Sequence, residues 1–169
     1  MLRRVLSIVL VVLTALLLQT TVFAEIQLFG AKPELVFLVT IVFALLEGPE
    51  GGAVVGFTGG MAQDFLLNQP KGITALTLTL LGYGVGLLRT YIVSPSPATP
   101  TLLVGLGTFG GILFERLVAF LLGEVATGLL LTVRVALLTG VYGAVLTPLL
   151  FPILRRVSGR SRPERVVRW

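Results

Sequence analysis

Residues 51–64 read GGAVVGFTGGMAQD, and within them Gly52, Gly56, Gly60 and Asp64 stand four residues apart. Four residues advance an α-helix by about 40° beyond one full turn, so these positions form one slanted stripe. Glycines at this spacing let two helix backbones approach closely, which is how helices associate where no water drives them together. The stretch therefore predicts a helix that packs tightly on a neighbour and ends in a carboxylate.

The rest of the chain has the composition of a membrane protein. Of its 169 residues, 55% are hydrophobic and 12% are charged, and the mean hydropathy is +1.00. We predict an all-α integral membrane protein, with a six-helix transmembrane bundle over residues 1–154 and a basic cytoplasmic tail over residues 155–169. The predicted spans are Val5–Ala24, Leu35–Leu46, Gly51–Leu67, Gly72–Val93, Thr101–Leu122 and Ala126–Leu154. The second and third are short enough to pack deep, to tilt or to distort the bilayer.

Basic residues predict the orientation of the bundle. Arg3 and Arg4 precede the first span, and six arginines follow the last span: Arg155, Arg156, Arg160, Arg162, Arg165 and Arg168. Because arginine and lysine near spans stay on the cytoplasmic side, both termini are predicted to be cytoplasmic, which requires an even number of spans. The clustering at the two ends argues against a nucleic-acid partner and favours contact of the tail with anionic membrane lipids.

Three further predictions concern the first span, the sixth span and the loop between the fourth and fifth spans. Arg3 and Arg4, an apolar core and a small-residue site ending at Ala24 also resemble a signal peptide, whose cleavage would leave five spans. Pro148 and Pro152 predict that the end of the sixth span is kinked or broken. Residues 94–100 are rich in proline and predict a stiff cytoplasmic spacer.

Cysteine and histidine are both absent from the chain. Disulfides, thiol chemistry, Cys/His metal sites and histidine proton relays are therefore excluded. No Walker-type or dinucleotide-binding loop is present, and a catalytic triad without histidine is not available in its usual form. We predict no catalytic residue, no cofactor and no metal site.

A second glycine stripe repeats the first one in the fifth predicted span. Gly107, Gly111 and Glu115 stand four apart, Arg116 follows, and Arg134 lies at a similar depth in the sixth span. With Asp64 these three charges sum to zero, so we predict an intramembrane charge network of Asp64, Glu115, Arg116 and Arg134. Glu115 is expected to face the interior. The network either holds helices in register or lines a polar cavity, proton pathway or substrate site.

The stretch from Pro33 to Leu88 resembles the rod shape-determining protein MreD family. In that family a proline and an acidic residue precede the second span, as Pro33 and Glu34 do here. A G-x3-GF-x2-G-x3-D run then fills the third span, and a glycine follows about eight residues after the aspartate. The positions that match this pattern are Gly52, Gly56, Phe57, Gly60, Asp64 and Gly72.

The resemblance implies a non-enzymatic scaffold of the bacterial cell-elongation machinery in the inner membrane. Its implied partners are an MreC-type single-span protein with a large outer domain, a RodA-type glycosyltransferase with its transpeptidase, and an MreB-type actin-like protein. The implied fold is similar to the substrate-binding subunits of energy-coupling-factor vitamin transporters. In this hypothesis the helix-packing and partner interface comprises Gly52, Gly56, Phe57, Gly60, Gly107 and Gly111.

Two other function classes remain open from the residues. A vitamin-binding subunit of an energy-coupling-factor transporter fits the size, span count and glycine content equally well. Such subunits typically carry alanine motifs in the first span, whereas here that span is bulky, with only Ala15 in its middle. In a membrane enzyme, Asp64 and Glu115 would act as acid and base, but arginines lie near both and no substrate pocket is visible.

Overall fold

A computed structural model of the chain describes residues 2–22, 31–66, 72–91, 98–123 and 128–158. Over these residues the chain is almost wholly helical, and each predicted span overlaps one α-helix, which confirms the all-α prediction. The six α-helices of the described residues are α1 (Leu2–Thr21), α2 (Leu35–Glu47), α3 (Pro49–Leu66), α4 (Ile73–Leu88), α5 (Ala98–Leu121) and α6 (Leu129–Val157). A single 3₁₀ turn, Arg89–Tyr91, follows α4.

The largest departures from the predicted spans lie on either side of the proline-rich loop. The fourth span was expected to reach Val93, but α4 ends at Leu88 and passes into the 3₁₀ turn, a common way for a helix to end. The fifth helix begins at Ala98 rather than Thr101, so the last part of the predicted spacer is helical. Pro100 fits there because the N–H groups of a first helical turn have no partner within the helix.

Helix α2 lies at the centre of the bundle and contacts all five other helices. Every residue from Leu35 to Ala44 is buried, and Phe37 and Phe43 are among the largest fully buried side chains. Its 13 residues span only about 20 Å, less than the hydrocarbon core of about 30 Å. Since protein rather than lipid surrounds α2, its short length leaves no polar backbone exposed to lipid. Of the alternatives for a short span, deep packing is the one observed.

The other five helices surround α2. Around it, α1 contacts α3, α3 contacts α4, α4 contacts α5 and α5 contacts α6. Their outward faces carry large apolar side chains, and Leu10 of α1, Leu106 of α5 and Val145 of α6 are each more than 60% exposed. Helices α5 and α6 are the two described helices that are long and apolar enough to cross a membrane by length and composition. A surface of this kind is stable when lipid covers it.

Helices α2 and α3 are joined by one residue, Gly48. Its φ of 90° lies in the left-handed region that glycine adopts without strain, and its N–H donates to the carbonyl of Ala44 at 2.9 Å. Pro49 then opens α3 at a position where its missing N–H removes no helical hydrogen bond. The sequence Gly48-Pro49 therefore ends one helix and starts the next, so α2 and α3 form a tight antiparallel pair.

The sixth helix is continuous through both of its prolines. Pro148 and Pro152 lie inside α6, which runs to Val157, so of the two alternatives a broken end is wrong, and a kink stays a prediction. The two prolines stand four residues apart and are both exposed, so their rings share one face of the helix. Helix α6 also includes Arg155 and Arg156, which place positive charge in its last turn and favour the helix dipole.

The ends of α2, α4 and α6 are tied together near Glu47. The guanidinium of Arg89 donates to the carbonyl of Leu46 at 3.0 Å, and the hydroxyl of Ser158 donates to the Glu47 carboxylate at 3.1 Å. These hydrogen bonds hold the C-terminal ends of three helices at one end of the bundle. The predicted cleavage site at Ala24, residues 94–97 of the spacer and the tail beyond Ser158 lie outside the described residues.

Candidate functional site: two glycine seams and a polar cluster

Helices α3 and α4 touch backbone to backbone along the first glycine stripe. A Cβ atom built on Gly52 would lie 2.5 Å from the carbonyl oxygen of Gly82, and one built on Gly60 would lie 2.6 Å from the amide nitrogen of Ala75. A Cβ atom on Gly56 would overlap the α4 backbone as well. A methyl group at any of these three positions would force the two helices apart. We call this contact the α3–α4 seam.

The second glycine stripe packs against side chains of the central helix. A Cβ atom built on Gly107 would lie 2.8 Å from Cδ1 of Ile41, and one built on Gly111 would lie 2.6 Å from Cε1 of Phe37. We call this contact the α2–α5 seam. Both glycine stripes are thus occupied within the bundle, and a helix from another protein could use either one only by displacing α4 or α2.

Phe57 lies on a different side of α3 from the glycine stripe. Its side chain is 54% exposed, and Val54 and Phe65, which are equally exposed, share its helical face. This face is apolar, aromatic and open to whatever surrounds the bundle. Among the residues expected at a partner interface, Phe57 is therefore the one whose side chain is accessible to a partner.

The carboxylate of Asp64 caps the start of α4. Its Oδ2 atom accepts hydrogen bonds from the backbone N–H of Gly72 at 2.8 Å and of Ala75 at 3.2 Å. Gly72 precedes α4 with a φ of 104° and has no side chain that could cap the helix itself. The carboxylate satisfies two N–H groups that the helix start leaves open, and its negative charge lies at the positive end of the helix dipole. Asp64 itself is fully buried.

A polar cluster at this end of the bundle comprises Asp64, its chain neighbour Gln63, Glu34 and Arg116. Glu34, which directly precedes α2, accepts a hydrogen bond from the side chain of Gln63 and lies within electrostatic reach of Arg116. Burial raises the pKa of the Glu34 carboxyl above its ordinary value, while the Gln63 hydrogen bond and the Arg116 charge act to lower it. Glu34 is half-buried as a residue, but its Oε2 atom is shielded from solvent.

Three buried acceptor oxygens of this cluster have no hydrogen-bond donor within the described part of the chain. They are Oε2 of Glu34, Oε1 of Gln63 and Oδ1 of Asp64. Such atoms favour a hydrogen-bond donor nearby, since an unsatisfied buried acceptor costs about 1–3 kcal/mol. No group of three or more acidic, histidine or cysteine residues that could hold a metal ion occurs within the described ranges.

The remaining members of the predicted charge network lie on α5 and α6. Glu115 is half-buried, whereas the side chains of Arg116 and Arg134 are exposed. The hydrogen bonds that the structure gives Asp64 come from backbone N–H groups, not from an arginine. Arg116 acts electrostatically on Glu34. Pairing of Asp64 with Arg116 or Arg134 stays a prediction.

The sequence motif contains both Glu34 and Gln63, but sequence reasoning gave neither a role in a polar cluster, because a polar residue beside an aspartate gives no signal of its own. Gly82 and Gly86 of α4 contact the backbones of Gly52 and Pro49. Sequence reasoning favours packing roles for glycines of this span. Their spacing of four residues matches that of the α3 stripe and is the signal that could have identified α3 as their neighbour.

A helical bundle with an apolar outer surface, glycine-mediated helix contacts and buried polar groups at one end defines a helical membrane protein. A family model described as rod shape-determining protein MreD matches residues 1–160 of the chain. The chain therefore belongs to that family, which confirms the resemblance found in the sequence. It is a membrane protein family of the rod-shape-determining machinery, and it is not known as an enzyme family.

Comparisons with curated proteins and with solved structures gave no significant match. The family match gives no support to the alternative of a vitamin-binding transporter subunit. It supports a role in cell-shape determination, together with the proteins of that machinery.

Proposed function

We propose that the chain is a non-enzymatic membrane scaffold that docks a single-span partner of the MreC type and brings it to the cell-wall synthases. These synthases would be a RodA-type glycosyltransferase and its transpeptidase, with an MreB-type protein on the cytoplasmic side. The observation that carries the proposal is the family match over residues 1–160. In this role the chain supplies a surface and no chemistry.

The proposed topology is six spans with both termini in the cytoplasm. Its support is the basic residues at the two ends of the sequence and the six helices of the described residues. In this orientation the polar cluster around Asp64 lies near the outer leaflet. The hydrogen bonds of Arg89 and Ser158 then lie at the cytoplasmic end.

We place the partner helix on the exposed face of α3 around Phe57. The glycine stripes are occupied by α4 and α2, so they support the rigidity of the bundle rather than direct docking. Aromatic side chains are enriched at protein interfaces because they bury much apolar area with few rotatable bonds. Phe57 also takes one of the positions of the family motif, next to the glycine that contacts the α4 backbone most closely.

The test is affinity capture of the tagged full-length chain from native membranes in mild detergent, followed by mass spectrometry. Recovery of a single-span protein with a large outer domain, together with cell-wall synthases, is the expected result. Recovery of transporter ATPase subunits and a bound vitamin would overturn the proposal.

A matched pair of variants tests the docking face. Phe57→Ala is expected to reduce recovery of the single-span partner severalfold while the chain remains inserted and folded. Phe120→Ala on α5 is the control, because Phe120 is 58% exposed and Phe57 is 54% exposed. Equal recovery with the two variants would exclude the Phe57 face as the docking surface.

A further inference from the structure

An open apolar groove runs between α5 and α6 on the outside of the bundle. Its volume is about 330 Å³, and Gly105 and Gly140 lie where the two helices come closest. A Cβ atom built on Gly140 would lie 2.7 Å from the carbonyl oxygen of Gly105. The groove is bordered by larger apolar side chains that are about half exposed or more, among them Leu102, Leu137 and Val141.

Two arginines lie on the groove-lining faces of these helices, at one end of the groove. Arg116 follows the lining residue Phe109 by seven positions, and Arg134 precedes the lining residue Val141 by seven. Seven residues return an α-helix to within about 20° of the same face, so each arginine extends the groove-lining side of its helix. Both side chains are exposed.

The two arginines also lie toward the same end of the bundle. Helices α5 and α6 are antiparallel, and a Cβ atom on Gly140 would lie 2.7 Å from the carbonyl oxygen of Gly105 and 3.4 Å from Cβ of Phe109. Arg134 lies six residues back along α6 from Gly140, and Arg116 lies seven residues beyond Phe109 and eleven beyond Gly105. These separations correspond to about 9 Å for Arg134 and about 10 to 16 Å for Arg116, in the same direction. Two guanidinium groups therefore flank one mouth of an apolar groove.

Arg116 and Arg134 lie at a depth from which their guanidinium groups reach the lipid headgroups. Each stands five residues from the nearer end of its helix, or about 7.5 Å along the axis. Because α5 and α6 have 24 and 29 residues, both are longer than a hydrocarbon core of about 30 Å. An arginine at this position reaches the interface with its guanidinium, while its aliphatic part remains in the apolar layer.

We propose that the α5–α6 groove, with Arg116 and Arg134, is a binding site for one anionic phospholipid. The phosphate lies between the two guanidinium groups, and an acyl chain lies in the groove over Gly105 and Gly140. Guanidinium binds phosphate through paired charge-assisted hydrogen bonds, and an acyl chain covers apolar side chains without leaving polar groups unsatisfied. Arg116 also acts on Glu34, so Arg134 carries the larger share of the phosphate contact.

The positive charges of the two arginines disfavour a second copy of the chain or an apolar partner helix as the occupant of the groove. A second copy of the chain, related by a two-fold axis along the membrane normal, would bring four guanidinium groups to one depth of one interface. An apolar partner helix would cover the groove but would offer no negative group to the exposed guanidinium of Arg134. A phospholipid with a negative headgroup satisfies both parts of the site at once.

The experiment is native mass spectrometry of the purified full-length chain, titrated in detergent with phosphatidylglycerol and, separately, with phosphatidylcholine. The expected result is one molecule of phosphatidylglycerol bound more tightly than any further one, and a preference over phosphatidylcholine. Arg134→Gln is expected to weaken this binding roughly tenfold, as for the loss of one charge-assisted contact. Val141→Trp, which fills the groove from an exposed position, is expected to weaken it as well.

Arg155→Gln is the matched control, because Arg155 is also exposed but lies at the other end of α6. It should bind phosphatidylglycerol as the wild type does. Equal weakening by Arg155→Gln and Arg134→Gln would mean that only bulk charge attracts lipid, and the site would be excluded. Wild-type binding by both Arg134→Gln and Val141→Trp would also exclude it. If Val141→Trp kept the lipid and lost a membrane protein partner, the groove would be a helix-docking site and the proposal would be wrong.

Discussion

The α3–α4 seam and the α2–α5 seam begin from the same sequence pattern and reach different structures. In each, glycines four residues apart lead to an acidic residue. The glycines of the α3–α4 seam meet backbone atoms of the neighbouring helix, whereas those of the α2–α5 seam meet the ends of the Ile41 and Phe37 side chains. The pattern therefore predicts close helix packing in both cases. It does not predict whether each glycine meets the backbone or a side chain of the neighbouring helix.

Asp64 and Glu115, the acids that end the two stripes, differ in how far they lie from the start of the next helix. Asp64 stands two residues before the end of α3, and the start of α4 lies within hydrogen-bonding reach of its carboxylate. Glu115 stands six residues before the end of α5, so a full helical turn and more separates it from the next helix start. An acid that ends a glycine stripe becomes a helix cap only when the following helix begins beside it.

The largest expected effect is the difference between Gly56→Ala and Gly111→Ala. Alanine at position 56 would overlap the α4 backbone, and we expect a loss of about 3 kcal/mol in the free energy of unfolding. Alanine at position 111 would meet a side chain, the Phe37 ring, rather than a helix backbone, so we expect a smaller loss of about 1 kcal/mol. Denaturant unfolding of the purified chain in mixed micelles, followed by circular dichroism, measures both.

Each variant has a glycine control on the same helix pair. A Cβ atom on Gly84 of α4 or on Gly110 of α5 would meet no atom within 4 Å. Alanine at either position should leave stability unchanged or raise it by up to about 1 kcal/mol through helix propensity. Equal losses for Gly56→Ala and Gly111→Ala would remove the distinction between the two seams.

The second effect concerns the two acids. Asp64→Ala leaves the N–H groups of Gly72 and Ala75 without their acceptor in a buried place, and we expect a loss of about 2 kcal/mol. Asp64→Asn keeps an acceptor oxygen and should lose less. Both variants should insert, and Asp64→Ala should weaken the complex with the single-span partner, because α3 and α4 no longer hold their register.

Glu115→Ala is the comparison for the Asp64 variants. Because Glu115 is half-buried and far from a helix start, its loss should change the unfolding free energy by less than the loss of Asp64. The same unfolding measurement applies, with capture of the partner as a second readout. If Glu115→Ala lowered the unfolding free energy more than Asp64→Ala did, the predicted charge network would contribute more to stability than the helix cap.

Much of the fold was predictable because it follows from apolar run lengths and breaker residues. Gly48 and Pro49 mark a helix boundary in the sequence and form one in the structure. The stripe of Gly52, Gly56 and Gly60 predicts a close helix contact by spacing alone. The spacing does not identify the neighbouring helix, since α4 and a helix of a partner protein would both pack against a glycine stripe.

The site was less predictable because its members come together from four helix ends. Glu34, Gln63 and Arg116 are distant in sequence, and their proximity depends on how α2, α3 and α5 pack. The role of Asp64 depends on the path of the chain from α3 to Gly72, which no local pattern specifies.

The smallest expected effect is a pH dependence at Glu34, which accepts a hydrogen bond from Gln63 of α3 and lies within electrostatic reach of Arg116 of α5. Because burial raises the pKa of this carboxyl, the folded chain binds more protons than the unfolded chain above the ordinary pKa of 4.5. The contribution of Glu34 to stability is therefore fully present below that pH and is lost as the pH rises through the folded-state pKa. Unfolding free energies measured from about pH 4.5 to about pH 8 should show this loss.

Glu34→Gln mimics the protonated carboxyl and should remove that part of the pH dependence, giving a chain at least as stable as the wild type at high pH. Glu50→Gln is the control for the removal of one carboxylate, because Glu50 is exposed in the first turn of α3. Arg116→Gln should extend the effect to higher pH, since the Arg116 charge lowers the pKa of Glu34. An identical slope in wild type and Glu34→Gln would mean that the Glu34 carboxyl keeps its ordinary pKa in the folded bundle. In that case protonation of Glu34 would not be linked to the packing of α2, α3 and α5 around it.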